Sequence, residues 1–257
     1  MEIAYIIPLH KKDKKVFRAI NSVPKDHHIV VSCSKNVFDW LIEQETAKNV
    51  TLVSGKASSS FPYLVNLGIK HIKETFTTKF DFISILEYDD EVTPTSNEIL
   101  EQYATDENVG IYAPFATVHD IVKQEKEEID VLIGIMNEAC YAGGIPEEPG
   151  YFDYNMLIRV NLLFMNGCYI RPSVFESVGV LKKNFKYFTD YEWALRASYN
   201  GITIKGIPKA CRKHYINKDK DGAFNMLNDL PKEKAEEYLT AARTEYYFDE
   251  DRPLDIN

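Results

Sequence analysis

Four carboxylates follow directly after a short apolar run in this sequence. The run spans residues 80–86, and Glu87, Asp89, Asp90 and Glu91 come immediately after it. Carboxylates this close together repel one another, so their crowding indicates that a cation belongs among them. Carboxylate oxygens suit Mg²⁺ and Mn²⁺, which commonly bind one or two carboxylates together with substrate phosphates. The residues alone leave two interpretations open: a metal–phosphate site, or an acidic loop in solvent.

The composition is that of one globular domain with its own core. The 257 residues are 45% hydrophobic and 27% charged, which is ordinary for a soluble protein. A net charge of -9 provides no general footprint for a nucleic-acid backbone. The four cysteines form no Cys-x-x-Cys pair, which favours free thiols in a reducing compartment. We find no signal-peptide pattern and no apolar run near the roughly 20 residues that span a bilayer, so we expect a cytoplasmic protein.

Short apolar runs alternate with helical patterns through the first 115 residues. Runs rich in β-branched residues predict buried strands, and apolar residues three and four apart predict helices. The predicted strands are 3–8, 28–32, 50–53, 80–86 and 109–114, and the predicted helices are 16–23, 37–46 and 58–76. This alternation is typical of a parallel sheet covered on both faces. In such sheets ligands bind at the carboxyl ends of the strands, where the acidic run lies.

The pattern changes after residue 115. The charged stretch 123–128 predicts a helix, and the glycines and prolines between 143 and 150 predict a loop after it. The segment 116–160 is either a surface insertion or a wall over a site. Regular elements resume further on, with predicted strands at 162–171 and 202–207 and predicted helices after Pro172, at 191–200 and within 230–247.

Three ordered groups of residues resemble the family 2 glycosyltransferases of the GT-A fold. That family has a Leu-Asp-x-Asp-Asp turn after a buried strand, then an Arg-containing strand with a Gly, a Val-Gly-Gly turn and a Glu-Asp-Tyr helix start. The matching residues here are Pro8 with 19–23, then 66–69 with 86–90, and then 166–171, 178–179, 188–196 and Gly201. The resemblance covers roughly residues 2–215.

The resemblance implies the fold and a division of the chain. We expect an α/β fold of GT-A (Rossmann-like) type, with a mixed, mainly parallel sheet, helices on both faces, one insertion and a helical C-terminal tail. Residues 1–215 would form the domain, followed by the tail 216–257. Within it, 1–115 would bind the nucleotide sugar, 116–160 would be a variable acceptor wall, and 161–215 would be the acceptor and catalytic half.

The resemblance also implies a reaction. A sugar would pass from a nucleotide-diphosphate sugar to a hydroxyl acceptor with inversion, and Mn²⁺ or Mg²⁺ would neutralise the departing diphosphate. The implied metal ligands are Asp89, Asp90 and His214. Asp190 matches the general base that deprotonates the acceptor, although Thr189 replaces the family's preceding Glu. The residues alone favour a helix N-cap for Thr189 or Asp190, and only the resemblance favours the catalytic role.

A set of donor-binding residues follows from the same match. The implied contacts are Pro8, His10, Ser32, Asn66, Glu87, Asp89 and Arg196. Glu87 replaces the family's first Asp, which lengthens the side chain by one methylene. Ser32 and Cys33 stand where the family often has an acidic residue that reads the base, so a UDP-sugar is only the default donor. Arg196 would pair with a carboxylate near the site, and Arg212 and Lys213 would face phosphate.

Two other classes of function remain open. A sugar-nucleotide nucleotidyltransferase would use the same fold, but it needs a Gly-rich loop where this chain has residues 8–15 without glycine. A GT-A protein that only binds is the other alternative, given the departures at Ser32, Glu87 and Thr189. The acceptor could be a glycan, a small molecule or a DNA base. Nucleic acid enters only as an acceptor, through the basic stretch Lys11–Lys15.

Overall fold

The computed structural model describes residues 1–55, 60–76, 80–124, 127–136, 150–152, 154–161, 163–216, 227, 229–248, 251–252 and 254. The strands in these ranges are β1 (Ile3–Leu9), β2 (His28–Ser34), β3 (Thr51–Gly55), β4 (Phe82–Ile85), β5 (Glu91–Val92), β6 (Val109–Gln124), β7 (Glu127–Met136), β8 (Tyr169–Ile170) and β9 (Thr203–Tyr215). The helices are α1 (Lys15–Ser22), α2 (Lys35–Leu41), α3 (Phe61–Thr75), α4 (Ser96–Tyr103), α5 (Tyr154–Leu157), α6 (Pro172–Ser177), α7 (Thr189–Tyr199) and α8 (Lys232–Glu245).

All described strands belong to one mixed sheet. Its order is β3-β2-β1-β4-β8-β6-β9-β5, and β7 pairs with β6 outside this path. The first four strands of the order run parallel, and β8 is antiparallel to both of its neighbours. Strands β6 and β9 are parallel to each other. The carboxyl ends of β1, β2 and β4 therefore lie along one edge of the sheet.

Helices cover both faces of this sheet, as the sequence predicts. The apolar residues of β1 alternate between two separate cores: Ala4 and Ile6 pack into one, and Ile3, Tyr5 and Ile7 pack into the other. The first core includes residues of α3, α6, α7 and α8, and the second includes residues of α1, α2 and α4. Successive strand residues point to opposite faces, so an apolar run such as this one needs cover on both sides.

The region after residue 115 corrects one prediction. We expected a helix followed by a loop, but β6 continues to Gln124 and pairs with β7 in an antiparallel hairpin. The β-branched residues at 117, 118, 121 and 122, and at 129, 131, 133 and 135, favour strands. This signal outweighs the charged stretch, most of which lies around the end of the hairpin. The Gly/Pro-rich residues 137–149 lie outside the described ranges.

Two other predicted strands have different bounds. The predicted strand 162–171 is wrong for most of its length, because only Tyr169–Ile170 pairs as β8. Gly167 has a φ of +79°, a left-handed conformation that interrupts an extended strand. The predicted strand 202–207 continues to Tyr215 as β9. His214 consequently lies within the last strand and not in a loop after it.

The described residues also show the state of three cysteines and whether a helix could span a membrane. Cys33, Cys168 and Cys211 are buried and form no disulfide, while Cys140 lies outside the described ranges. Among the helices that the structure describes, none has the length and apolar character needed to cross a membrane.

Candidate active site

The candidate site lies where β1 and β4 end. The Leu86 N–H donates to Ile6 O at 2.9 Å, so the chain stays paired with β1 as it leaves β4. On the other side, the Gly167 N–H donates to Ile85 O at 2.8 Å. Between these two contacts the acidic residues turn sharply, with the Asp90 N–H on Glu87 O at 3.1 Å. Backbone bonds from both neighbours thus fix the turn that carries the carboxylates.

Asp90 is the anchor of this turn. Its side chain is fully buried, and it accepts hydrogen bonds from four groups. Asn166 Nδ2 donates to Oδ2 at 2.8 Å, the Tyr215 N–H donates to Oδ1 at 3.0 Å, and the Arg212 guanidinium pairs with Oδ2. His214 Nδ1 lies 3.1 Å from both oxygens. A buried carboxylate is tolerated only when it is bonded and paired in this way.

His214 completes a group of three potential ligands. One ligand atom each from Glu87, Asp90 and His214 lies within 4.8 Å of the others. When Nδ1 of His214 carries the proton and donates to Asp90, Nε2 is the nitrogen left for an ion. A carboxylate behind a ligating imidazole is the usual arrangement in metal sites, where it fixes the ring and the tautomer. Carboxylate oxygens together with an imidazole nitrogen suit Mn²⁺.

The three carboxylates differ in their tendency to ionise. Burial, together with the negative charges of Asp90 and Asp89, raises the pKa of Glu87 to about 7. Burial and the neighbouring Asp90 raise the pKa of Asp89 to about 6. Burial also opposes the ionisation of Asp90, but Arg212, His214 and the Tyr215 N–H outweigh it and hold its pKa below the usual value. Glu87 and Asp89 therefore carry uncompensated repulsion that a divalent cation would relieve.

Arg18 fixes the middle of the acidic turn from the side of α1. Its Nη2 donates to Asp89 O at 2.6 Å, and its Nε lies 3.0 Å from Glu91 Oε1. The guanidinium stacks on the Tyr215 ring at 3.7 Å from the centroid. The Tyr215 hydroxyl donates to Glu91 Oε1 at 2.9 Å and also contacts Asp130 Oδ2 at 3.3 Å. The network links the turn to β9 and to the β7 hairpin.

Asp190 stands in the first turn of α7. Its Oδ1 accepts the Tyr191 N–H at 2.9 Å. Burial raises the pKa of Asp190 above its usual value, while backbone hydrogen bonds, including one to Met165, hold it part of the way down. Met165 directly precedes Asn166, which donates to Asp90 and accepts the Glu87 N–H at 3.1 Å.

Solved structures share this architecture. S. aureus TarS 1–349 in complex with UDP-GlcNAc superposes with a TM-score of 0.60 at 13% identity, over 96% of this chain and 73% of that chain. The mannosyltransferase PcManGT from Pyrobaculum calidifontis, in complex with GDP-Man and Mn²⁺, superposes with a TM-score of 0.57 at 12% identity. This match covers 88% of this chain and 59% of that chain.

This chain has the GT-A fold. No protein-family model matches the sequence, and no curated protein matches it. The GT-A assignment agrees with the sheet order, in which the acidic turn follows β4 at the carboxyl edge of the parallel strands.

Three of the predicted donor contacts lie along the carboxyl edge of the GT-A sheet. Pro8 is opposite Ser32 in the pairing of β1 with β2. The buried Ser32 hydroxyl has no hydrogen-bond partner within the described part of the chain. His10 is exposed just beyond β1, and its ring packs edge-on against Tyr88 with centroids 5.3 Å apart. Of the three, Pro8 and Ser32 are buried and His10 is exposed.

Asn66 and Arg196 occupy a different position. The Asn66 amide donates to Leu181 O at 2.6 Å and accepts the Leu181 N–H at 3.0 Å. The buried Arg196 guanidinium bonds both carboxylate oxygens of Glu192 at 3.0 Å and the carbonyls of Val178 and Val180. The expected pairing of Arg196 with a carboxylate is confirmed. Both side chains position backbone, and we leave them out of the proposed donor site.

Arg212, Asn166 and Tyr215 are the contributors that sequence reasoning underestimated. Arg212 was expected to face phosphate but is buried against Asp90, and Lys213 lies 3.5 Å from Asp130 Oδ2. Asn166 was noted only as part of a motif. Tyr215, next to His214 in the sequence, belongs to none of the matching groups. The pairing of β9 with β5 and β6 brings Arg212 and Tyr215 to Asp90, and the bridge between Ile85 and Asn166 brings Asn166 there. No local pattern announces such long-range contacts.

Proposed function

We propose that this protein is a metal-dependent glycosyltransferase related to family 2. It would transfer a sugar from a nucleotide-diphosphate donor to a hydroxyl acceptor with inversion. The observation that carries the proposal is the Glu87–Asp90–His214 group after β4, in which Asp90 is bonded by both His214 and Asn166. TarS has been solved with UDP-GlcNAc and PcManGT with GDP-Man and Mn²⁺, which supports a nucleotide-sugar donor.

The donor set of the site fits a divalent cation. Glu87 and Asp89 offer carboxylate oxygens, and His214 offers an imidazole nitrogen. Asp90 already accepts four hydrogen bonds, so its proposed part is to orient His214 and to neutralise Arg212. When bound, Mn²⁺ or Mg²⁺ would act as a Lewis acid on the diphosphate leaving group. Glu87 lies in the three-residue group and Asp89 does not, so we place Glu87 ahead of Asp89 as a ligand.

Asp190 has the properties of a general base in this scheme. Its pKa is raised by burial, and a base is most effective when its pKa approaches the working pH. Its Oδ1 accepts the Tyr191 N–H. Asp190 would take the proton from the acceptor hydroxyl as that oxygen attacks the sugar. Pro8, His10 and Ser32 would line the nucleoside at the carboxyl edge of β1 and β2.

A donor panel tests the proposal. UDP-, GDP-, CDP- and dTDP-sugars are incubated with the protein, with and without Mn²⁺, and both donor hydrolysis and a thermal shift are measured. We expect one nucleotide to give a Mn²⁺-dependent shift together with slow release of nucleoside diphosphate. A shift without any hydrolysis or transfer would favour the binding-protein alternative. The absence of a shift with every donor would contradict the proposal.

The ligand assignment has its own test. Glu87→Gln and Asp89→Asn remove one charge each from adjacent positions of the same turn. We expect Glu87→Gln to weaken Mn²⁺ binding more than Asp89→Asn, as measured by titration calorimetry with the same nucleotide. The opposite order would indicate that Asp89, and not Glu87, contacts the ion directly, in line with the family pattern.

A further inference from the structure

The β6–β7 hairpin carries an apolar strand that nothing in the described structure covers. Five apolar side chains of β7 are exposed: Ile129, Val131, Leu132, Ile133 and Ile135. Neighbouring strand residues point to opposite faces, so this run exposes apolar surface on both faces of the ribbon. Single exposed apolar residues are ordinary, but a contiguous patch marks an interaction surface.

The outer edge of β7 is also unpaired in the described residues. Strand β7 spans 10 residues and pairs only with β6. An exposed edge presents a row of backbone N–H and C=O groups that can bond to another strand. A docked helix would cover only one face of the ribbon. A strand added in the plane of the sheet bonds the edge and brings side chains to both faces at once, which fits β7 better.

The distribution of charge along β7 identifies the strand that fits. Its first half holds Glu127, Glu128 and Asp130, and its second half is uncharged. A parallel copy of β7 in register would place each carboxylate beside its own counterpart, which is unfavourable. An antiparallel copy places the acidic half of each strand beside the uncharged half of the other. The register of β7 with β6 shifts at Ile133, a bulge that interrupts regular pairing within the uncharged half.

We propose that β7 is a homodimer interface, in which two copies of this chain pair their β7 strands antiparallel about a two-fold axis. The contact is self-complementary and closes on itself, because each copy uses the same free edge of its β7 strand. The resulting sheet would continue from one copy into the other through their hairpins.

Two matched pairs of variants test the interface in the full chain. Ile135 and Ile42 are both isoleucines, with 53% and 56% of their surface exposed, but Ile42 lies just after α2, away from β7. Ile135→Arg should therefore break the dimer, and Ile42→Arg should leave it intact. Leu132→Lys, with Val160→Lys as its control, repeats the comparison at a second position. All four residues are exposed, so the variants should keep their fold, which circular dichroism checks.

Sedimentation equilibrium at micromolar concentrations measures the result. We expect the wild-type chain at twice its 29.6 kDa mass, and a dissociation constant at least about 100-fold higher in Ile135→Arg and Leu132→Lys. In hydrogen exchange, the outward-facing β7 amides should lose protection on dilution of the wild-type chain. A monomeric wild-type protein would overturn the proposal. A dimer that survives both β7 substitutions would overturn it as well.

Discussion

The side-chain amide of Asn166 donates a 2.8 Å hydrogen bond to Oδ2 of Asp90, while its oxygen accepts the N–H of Glu87. One amide thus satisfies both ends of the acidic turn from the segment that pairs with Ile85 at the end of β4. We expect Asn166→Ala to lower the free energy of unfolding by about 1–3 kcal/mol, because it leaves buried groups without partners. Urea unfolding measures the loss. Asn108→Ala, at an exposed amide that bonds Asp106, should cost much less, and an equal cost would contradict the role of Asn166.

Asp190→Asn tests the proposed base. The amide keeps the shape of the carboxylate but cannot accept the acceptor's proton, so we expect kcat to fall by about 10²–10⁴-fold. The KM for the donor should change little. In the wild-type enzyme the rate should fall in acid as Asp190 takes up a proton. Since burial raises its pKa, that fall should occur above the usual 3.8 of an aspartate. Asp39→Asn, at an exposed carboxylate, should retain full activity.

Glu87→Gln should change how stability depends on pH. The pKa of Glu87 is about 7 in the folded chain, and its ordinary value of 4.5 applies to the unfolded chain. Between these values the folded state keeps a proton that the unfolded state has lost, so the Glu87 contribution to stability falls as pH rises. The free energy of unfolding of Glu87→Gln, minus that of wild type, should therefore increase from pH 4.5 to 7 and then level off.

Urea unfolding of the metal-free proteins across this range checks the prediction. Added Mn²⁺ should reverse the advantage of Glu87→Gln above pH 7, because the ion offsets the repulsion in the wild-type protein only. A difference that stays constant with pH would show that Glu87 has an ordinary pKa.

Gly167→Ala should disturb the partner of Asp90. Gly167 has a φ of +79°, and a Cβ there would lie 2.5 Å from Arg212 Nε. Gly201 is a close control, because it has the same φ of +79° and a Cβ there would meet nothing within 4 Å. Both alanine variants lose stability because alanine disfavours a positive φ, but only in Gly167→Ala must Arg212 also move. We expect Gly167→Ala to be less stable than Gly201→Ala by about 1–3 kcal/mol. Equal losses would mean that Arg212 shifts freely.

Tyr215 and Asp130 should be coupled energetically. The Tyr215 hydroxyl joins Asp130 of the β7 hairpin to Glu91 beside the acidic turn. In a double-mutant cycle, Tyr215→Phe and Asp130→Asn should interact by about 0.5–1.5 kcal/mol. Tyr215→Phe paired with Asp39→Asn should be additive. Additivity in both cycles would show that the contact between Tyr215 and Asp130 adds nothing to stability.

The fold was predictable where local pattern and tertiary role agree. The strands around Ile6, Val31 and Ile83 are apolar runs that the sheet buries on both faces, and helix α7 begins within two residues of its predicted start. The β6–β7 hairpin was mistaken for a helix because the charged residues near its end suggest a solvated helix face. In addition, β7 stays exposed after it pairs with β6. Its sequence therefore does not need the alternation of apolar and polar residues that a half-buried strand shows.

The site was predictable to the extent that residue type reveals chemistry. Glu87, Asp90 and Asp190 stand out as carboxylates placed where a strand ends or a helix begins. The roles of Asn66 and Arg212 depended on contacts between residues more than 100 positions apart. Such contacts follow from sheet order, which no single segment encodes.

Phe188, two residues before Asp190, has a backbone conformation that is unfavourable for its side chain. It is the only residue other than glycine with a positive φ in the described ranges, at 58°, and it stands at the N-cap of α7. For a bulky side chain this conformation costs about 1–2 kcal/mol relative to glycine. Its ring nevertheless packs against the core and Tyr191. A glycine here would relax the backbone but loosen the start of the helix. The chain therefore keeps a locally disfavoured backbone conformation two residues before the proposed catalytic base. The stability of the folded chain is lower by that cost, while the start of the helix that carries Asp190 stays fixed.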